Sequence, residues 1–312
     1  MSARSTAPPF LLVAAGASRL VDPVRRDALI AAASRAIEAR TGTVPEVRVT
    51  ETAAGGRAVA REAVAAGASL LVVAGGDGSV RSVAAVLAGT GIALGIVPGG
   101  TGNLMAAALG IPRSPEGAVA ALSSARERPI DVGRAWVGAA AIPTPFIVAA
   151  GVGFDARVMA ATTGRRKRSL GIGAYFAVAA TVAARVRPFE VRLVVDGVVH
   201  ETDALAVLIA NAGELVPGLL RPRLPFVPDD GQLDILVARG RGVVGGSRAA
   251  LELLLGRGVH TAIGPYGARF AGRRVEVAAP AGEPVEVDGD VVGGGGFVAE
   301  VLPHAIRILV PA

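Results

Sequence analysis

The first part of the chain alternates short apolar runs with longer segments whose apolar positions recur at helical spacing. Phe10 to Ala15 and Leu70 to Ala74 are apolar throughout, the mark of strands buried on both faces. Val44 to Thr50 and Ile92 to Val97 predict two more strands. Helices are predicted between them. Asp22-Pro23 reads as a cap with proline at the first helical position, opening a helix to about Arg40. Gly56 to Ala66 and Val80 to Leu87 predict a second and third helix, and Ser114-Pro115 opens a fourth to about Ser124. This alternation predicts an α/β fold, a doubly wound parallel sheet with helices on both faces.

The pattern changes near Ile130 to Gly133. Glu190 to Val195 and Val198 to Thr202 flank Asp196-Gly197, a hairpin signal. Arg274 to Ala278 and Val285 to Asp288 read as a similar pair. Helical stretches interrupt at Leu170 to Arg185 and Val244 to Leu255. The second region is therefore expected to be a β-rich α+β domain. The last strand, Ala305 to Val310, could join either domain.

Composition narrows the chemistry. The 312 residues suffice for two domains, and 52% hydrophobic against 19% charged residues marks a folded chain. There are no cysteines, which excludes disulfides and thiolate metal sites and fits a reducing cytoplasm. Mean hydropathy is +0.53, yet the best candidate span, Tyr175 to Val186, is too short to cross a bilayer. Net charge is +6, almost all from arginine, and Lys167 is the only lysine. It sits in the run Arg165 to Arg168, so neither a P-loop lysine nor a protein-kinase strand lysine is available. That cationic run suits an anionic bilayer surface, at about 1 kcal/mol per cation, and equally a solvated loop or a phosphate-side cluster. Aromatic residues are 4% and no basic stripe with aromatics appears, which argues against nucleic acid.

Four motifs carry candidate chemistry. Gly75-Gly76-Asp77-Gly78-Ser79 follows a buried strand and opens a helix, where glycines let backbone N–H groups approach a phosphate. Asp77 would repel a phosphate unless it orients a donor, a water or magnesium. Pro98-Gly99-Gly100-Thr101-Gly102-Asn103 repeats the arrangement after the next strand, and Thr101 and Asn103 can donate to phosphate or base. Two such loops make plain capped turns the weaker reading. Asp229-Asp230-Gly231-Gln232-Leu233-Asp234 suits a cation or a solvated acidic turn. Asp288-Gly289-Asp290 could supply a base for a hydroxyl, although an ordinary hairpin turn explains it better from sequence alone.

Together with Gly151 to Ala156 (GVGFDA), these motifs resemble in order and spacing the diacylglycerol kinase catalytic-domain family, which includes bacterial lipid kinases and sphingosine kinases. The resemblance implies a phosphofructokinase- and NAD kinase-like nucleotide domain over residues 8–131, with 299–312 returning to it. Residues 132–298 would form the β-rich lipid-binding domain. It implies ATP and Mg²⁺ as cofactors and a lipid hydroxyl as acceptor, diacylglycerol by default. Thr52, Gly75, Gly76, Asp77, Gly78, Ser79, Val80, Arg81, Gly100, Thr101 and Asn103 would bind nucleotide. Asp290 stands where the family usually has glutamate and would act as base, supported by Asp288. Asp77 and Asp131 would join an acidic network around magnesium. Asp230, with backbone oxygens of Val227 and Gln232, would bind a structural magnesium. Ala14-Ala15-Gly16 replaces the family's usual Asn-Pro after the first strand. The implied setting is cytoplasmic, with peripheral contact at the inner membrane face and a homodimer as an allowed assembly. A soluble-substrate kinase sharing the first loop and a non-catalytic nucleotide- or lipid-binding protein remain alternatives.

Overall fold

A computed structural model describes residues 7–161, 181–182, 186–212, 226–240, 245, 248 and 266–312. The predicted helices at Leu170 to Arg185 and Val244 to Leu255 lie outside these residues apart from isolated positions, as does the run Arg165 to Arg168. No helix among the described residues is long and apolar enough to cross a membrane. The chain divides into two compact units, Met1–Asp131 with His304–Ala312, and Val132–Pro303.

The first unit alternates β1 (Phe10–Ala14), α1 (Pro23–Thr41), β2 (Glu46–Thr50), α2 (Ala53–Ala65), β3 (Leu70–Gly75), α3 (Asp77–Leu87) and β4 (Ala93–Pro98). Two short helices follow, α4 (Leu104–Ala108) and α5 (Pro115–Leu122). The sheet order is β2-β1-β3-β4, completed by the end of β16 (Phe297–Val310), and every pairing is parallel. Every residue of β1, β3 and β4 is buried, so both faces of the sheet centre are covered. Local chemistry sets the helix ends. Asp22 accepts the N–H of Val24 at 3.0 Å ahead of Pro23, and Gly42 closes α1 at φ 78°. The second helix starts at Ala53 rather than Gly56 because the Thr52 hydroxyl caps it, accepting the Gly55 N–H at 3.0 Å. The third starts at Asp77 rather than Val80, so the glycine loop itself forms its first turn.

The second unit is β-rich and antiparallel. It comprises the end of β5 (Arg126–Val137), β6 (Thr144–Phe146), β7 (Ala149–Gly153), α6 (Phe154–Ala161), β8 (Phe189–Val195) and β9 (Val198–Ala204). Then follow β10 (Ala206–Ala210), β11 (Leu233–Ala238), β12 (Gly267–Gly272), β13 (Arg274–Ala278), β14 (Pro284–Val287), β15 (Asp290–Gly294) and the first half of β16. One sheet runs β16-β13-β8-β9 and the other β12-β11-β10-β7-β14-β15. Phe146, Leu193, Val207, Ile235, Val285 and Phe297 from both sheets share one core. The Asp196-Gly197 hairpin joins β8 to β9 as expected. The pairing expected between Arg274 to Ala278 and Val285 to Asp288 does not form. β13 joins β8 and β16 in one sheet, and β14 joins β7 and β15 in the other. The last strand is longer than Ala305 to Val310, and its end pairs with β4 of the first unit.

Candidate functional site

Parallel strands put all their carboxyl ends on one edge, and the order β2-β1-β3-β4 reverses direction between β1 and β3. A crevice outside such a reversal is where open α/β sheets take ligands. Thr52, the first glycine loop and the second glycine loop follow β2, β3 and β4 at that edge.

The glycines are explained by how the two loops meet. A methyl carbon on Gly100 would lie 2.7 Å from the Cα of Gly76, and one on Gly76 would lie 3.3 Å from the Cα of Gly100. On Gly75 it would meet the Cβ of Ser79 at 2.8 Å. The Gly99 N–H donates to the Gly75 carbonyl at 2.8 Å. Gly78 differs, since its added carbon would meet only a guanidinium nitrogen of Arg81 at 4.0 Å. The loops thus press backbone against backbone at Gly76 and Gly100 and leave open space at Gly78.

Two side chains lock this arrangement. Asn103 is buried at φ 51°, a left-handed conformation asparagine tolerates better than most residues. Its Oδ1 accepts the Gly100 N–H at 3.0 Å and its Nδ2 donates to the Gly100 carbonyl at 2.8 Å, so the amide holds the loop that carries it. Asp77 straps the first loop to the second: its Oδ1 accepts the Leu104 N–H at 2.6 Å. Burial pushes its carboxyl above the usual carboxylate range, opposed by the backbone N–H groups of Leu104, Asn103 and Met105. An acid at a phosphate rim is therefore reasonable, because its charge is directed at the first turn of α4. Val80 is buried, its N–H held by the Gly76 carbonyl at 3.1 Å, whereas Ser79 and Arg81 are half-buried and Thr101 is exposed.

Residues that the motifs did not single out complete the edge. The Arg19 N–H donates to the Gly99 carbonyl at 3.0 Å, and the Ser18 hydroxyl lies 3.4 Å from that of Thr101. Leu20 is buried, its Cδ1 2.8 Å from where a Gly99 methyl would stand. Only their place after β1, at the reversal point, could have flagged them. Asp131 is fully buried, and its Oδ1 accepts the His304 N–H at 2.7 Å, anchoring the returning strand.

In the second unit, Asp288 and Gly289 form the β14–β15 turn with φ of 49° and 83°. Positive φ at both positions suits a tight hairpin that follows the strand twist. The Asp288 carboxylate accepts the N–H groups of Ile147, Val148 and Ala149 at 3.0, 2.9 and 3.0 Å. Glu286 is buried, and its Oε2 accepts the Gly289 N–H at 2.6 Å. These two acids fix the turn, and exposed Asp290 follows it as the first residue of β15. The GVGFDA stretch runs from β7 into α6. Gly153 at φ 96° lies where a methyl would reach the Leu205 carbonyl at 2.5 Å.

Asp230 forms a turn of its own, its Oδ1 accepting the Gln232 N–H at 2.9 Å across Gly231 at φ 73°. Asp234 pairs with Arg269 at 2.8 Å; burial raises its carboxyl, and the guanidinium opposes that. Among the described residues no cluster of three or more His, Asp or Glu side chains could hold a metal. One carboxylate with carbonyls of the same turn is an oxygen-only donor set. That suits magnesium, which keeps several waters and takes one or two carboxylates.

Comparison with known proteins agrees with this architecture. The model of the diacylglycerol kinase catalytic domain matches residues 27–135, and that of the YegS C-terminal NAD kinase beta sandwich-like domain matches residues 147–310. A Pseudomonas putida protein named "Probable lipid kinase YegS-like" is 33% identical over 87% of both chains. Its namesake in Pseudomonas aeruginosa UCBPP-PA14 is 34% identical over 90% of this chain and 89% of its own. An uncharacterized Synechocystis protein, sll0036, is 28% identical over 78% of this chain, which spans only 55% of that relative. The crystal structure of a diacylglycerol kinase from Bacillus anthracis superposes with a TM-score of 0.71 at 19% identity, covering 97% of each chain. A second Bacillus anthracis structure gives 0.77 at 22% identity, covering 99% of this chain and 98% of its own. Two family models matched in order, and relatives a third identical over most of their length, show that the chain belongs to the diacylglycerol kinase catalytic-domain family of YegS-like lipid kinases.

Proposed function

We propose that this chain transfers the γ-phosphate of ATP to the hydroxyl of diacylglycerol, giving phosphatidic acid, with Mg²⁺ as cofactor. The observation that carries the nucleotide half is the pair of glycine loops, packed Gly76 on Gly100 and strapped by Asp77 to the backbone of Leu104. They present backbone N–H groups, together with Thr101, Ser79 and Arg81, at a strand-order reversal. The lipid half is supported by the family and by the names of its relatives.

In this reading the loops hold the phosphates in line and supply fixed donors to charge on the transferred group. Thr52 and Thr101 contact the nucleotide. Asp290 accepts the proton of the lipid hydroxyl as its oxygen bonds to the γ-phosphorus and the bond to the ADP oxygen breaks. Asp288 keeps the turn that aims Asp290. Neutralisation of phosphate charge is what magnesium would supply; Asp77 and Asp131 would join the acidic network around it, and Asp230 with the carbonyls of Val227 and Gln232 would hold a structural ion. Purified protein with ATP, magnesium and diacylglycerol should yield phosphatidic acid, read by mass spectrometry. Asp290→Asn should lose it while melting like the parent. Equal product from both proteins would remove Asp290 as base, and no phosphorylated lipid from the parent would sink the proposal.

A further inference from the structure

Residues 136–154 carry no charged side chain, and neither do residues 291–299. These stretches are neighbours in the second unit. The β5–β6 hairpin pairs Ala135 with Thr144 and sends residues 138–143 out as a loop beyond the end of β5 at Val137. The Gly138 N–H donates to the Gly296 carbonyl at 3.3 Å. A methyl on Gly293 would stand 2.9 Å from Cγ1 of Val137. The loop therefore leaves the body beside the far end of β15.

Both elements expose apolar side chains. Ile142 is 81% exposed, and Val291 and Val292 are 42% and 41% exposed. Val291 and Val292 follow Asp290 by one and two positions, whereas Ile142 alone among the exposed large hydrophobics of the described residues has no Asp, Glu or Arg within two positions. Ile142 has no charged residue nearer in sequence than Arg134 and Asp155. Among the described residues β15 is an edge strand, paired only with β14. Soluble proteins normally guard such edges with charges, and past Asp290 this one has none.

We infer that the 138–143 loop and β15 form a lipid-surface contact, with Ile142, Val291 and Val292 entering the boundary between headgroups and acyl chains. A protruding apolar tip suits a deformable lipid layer, which needs no matching cavity. The contact is continuous with the reacting residue, since Val291 directly follows Asp290. Docking by this edge holds Asp290 at the level where a lipid hydroxyl lies. That consequence rests on the lipid-kinase reading; the surface itself does not.

The test is co-sedimentation with phosphatidylcholine vesicles containing diacylglycerol, without nucleotide, at low and at high salt. The parent should bind, and salt should not weaken it, because the contact is apolar. Ile142→Gln combined with Val292→Ser should weaken binding about tenfold, while phosphorylation of monomeric short-chain diacylglycerol stays at the parent level. Ile142→Trp should bind more tightly, with a blue-shifted emission on vesicles. Undiminished binding by the double variant, binding abolished by salt, or no vesicle binding by the parent would overturn the inference. So would a parent dimer that the double variant converts to monomer, which would assign the edge to a second copy of the chain. Failure of the parent to phosphorylate the short-chain lipid, with vesicle binding intact, would count against the kinase reading and leave the surface standing.

Discussion

Replacing Gly100 with alanine tests the loop-on-loop contact most directly. The new methyl would stand 2.7 Å from the Cα of Gly76 and 3.2 Å from Oδ1 of Asn103. Carbon atoms pack at roughly 3.5–4.0 Å, so the two backbones must separate by about 1 Å. Neither side yields easily. Gly100 is held by both polar atoms of Asn103, and Gly76 carries the carbonyl that accepts the Ser79 and Val80 N–H groups at 2.9 and 3.1 Å. Overpacking of this kind costs about 1–3 kcal/mol. A shift of about 1 Å in a positioning loop costs on the order of 100-fold in turnover. Gly78→Ala is the matched control. Its methyl meets nothing closer than 4.0 Å, and in the first turn of α3 alanine is at least as well tolerated as glycine. ATP binding by calorimetry and thermal melting should therefore separate the two variants. Gly100→Ala should lose both stability and affinity. Gly78→Ala should keep its stability and lose affinity only in so far as phosphate occupies the open space. A Gly100→Ala protein with parental melting and affinity would refute the contact as described.

Three further outcomes are expected. The Asp77 carboxyl titrates above its unfolded value, so its contribution to stability is complete below the ordinary carboxylate pKa and is lost as pH rises through the folded one; Asp77→Asn should flatten this stretch of the stability–pH curve, measured by urea unfolding. Asp288→Ala leaves the Ile147, Val148 and Ala149 N–H groups without their acceptor, and at about 1–3 kcal/mol for an unsatisfied buried donor the second unit should melt earlier in differential scanning calorimetry. Asp131→Ala should cost about 1–3 kcal/mol and speed hydrogen exchange along the returning strand, because the His304 N–H loses its acceptor.

The fold class was legible because β1, β3 and β4 are buried apolar runs with glycine at or just beyond their ends, alternating with segments of helical spacing. The Asp196-Gly197 turn was legible for a similar reason: its two strands are neighbours in the chain and pair with each other. β13 and β14 are also neighbours in the chain, yet each finds its partners far away in sequence, and alternation of side chains carries no record of a distant partner. At the candidate site, the glycines announced that the backbone must come close to something. They did not announce that the something is another glycine loop. Likewise Asp77 was legible as an acid in an odd place, whereas its acceptor role toward Leu104 depends on a fold that sets β3 beside β4. Ser18 and Arg19 carried no signal, because nothing in their own residue types distinguishes them from an ordinary loop.

The β4–β16 pairing has a consequence for synthesis. Ile308 sits beside Leu94 in the finished sheet, so this pair joins residues that leave the ribosome far apart in time. At about 5–20 residues per second, the delay is on the order of 10–40 s. Throughout it β4, apolar along its whole length, is the unpaired margin of a sheet otherwise ready to form. A nascent chain in that condition is a template for the wrong strand, and the interval is a natural window for a chaperone to occupy.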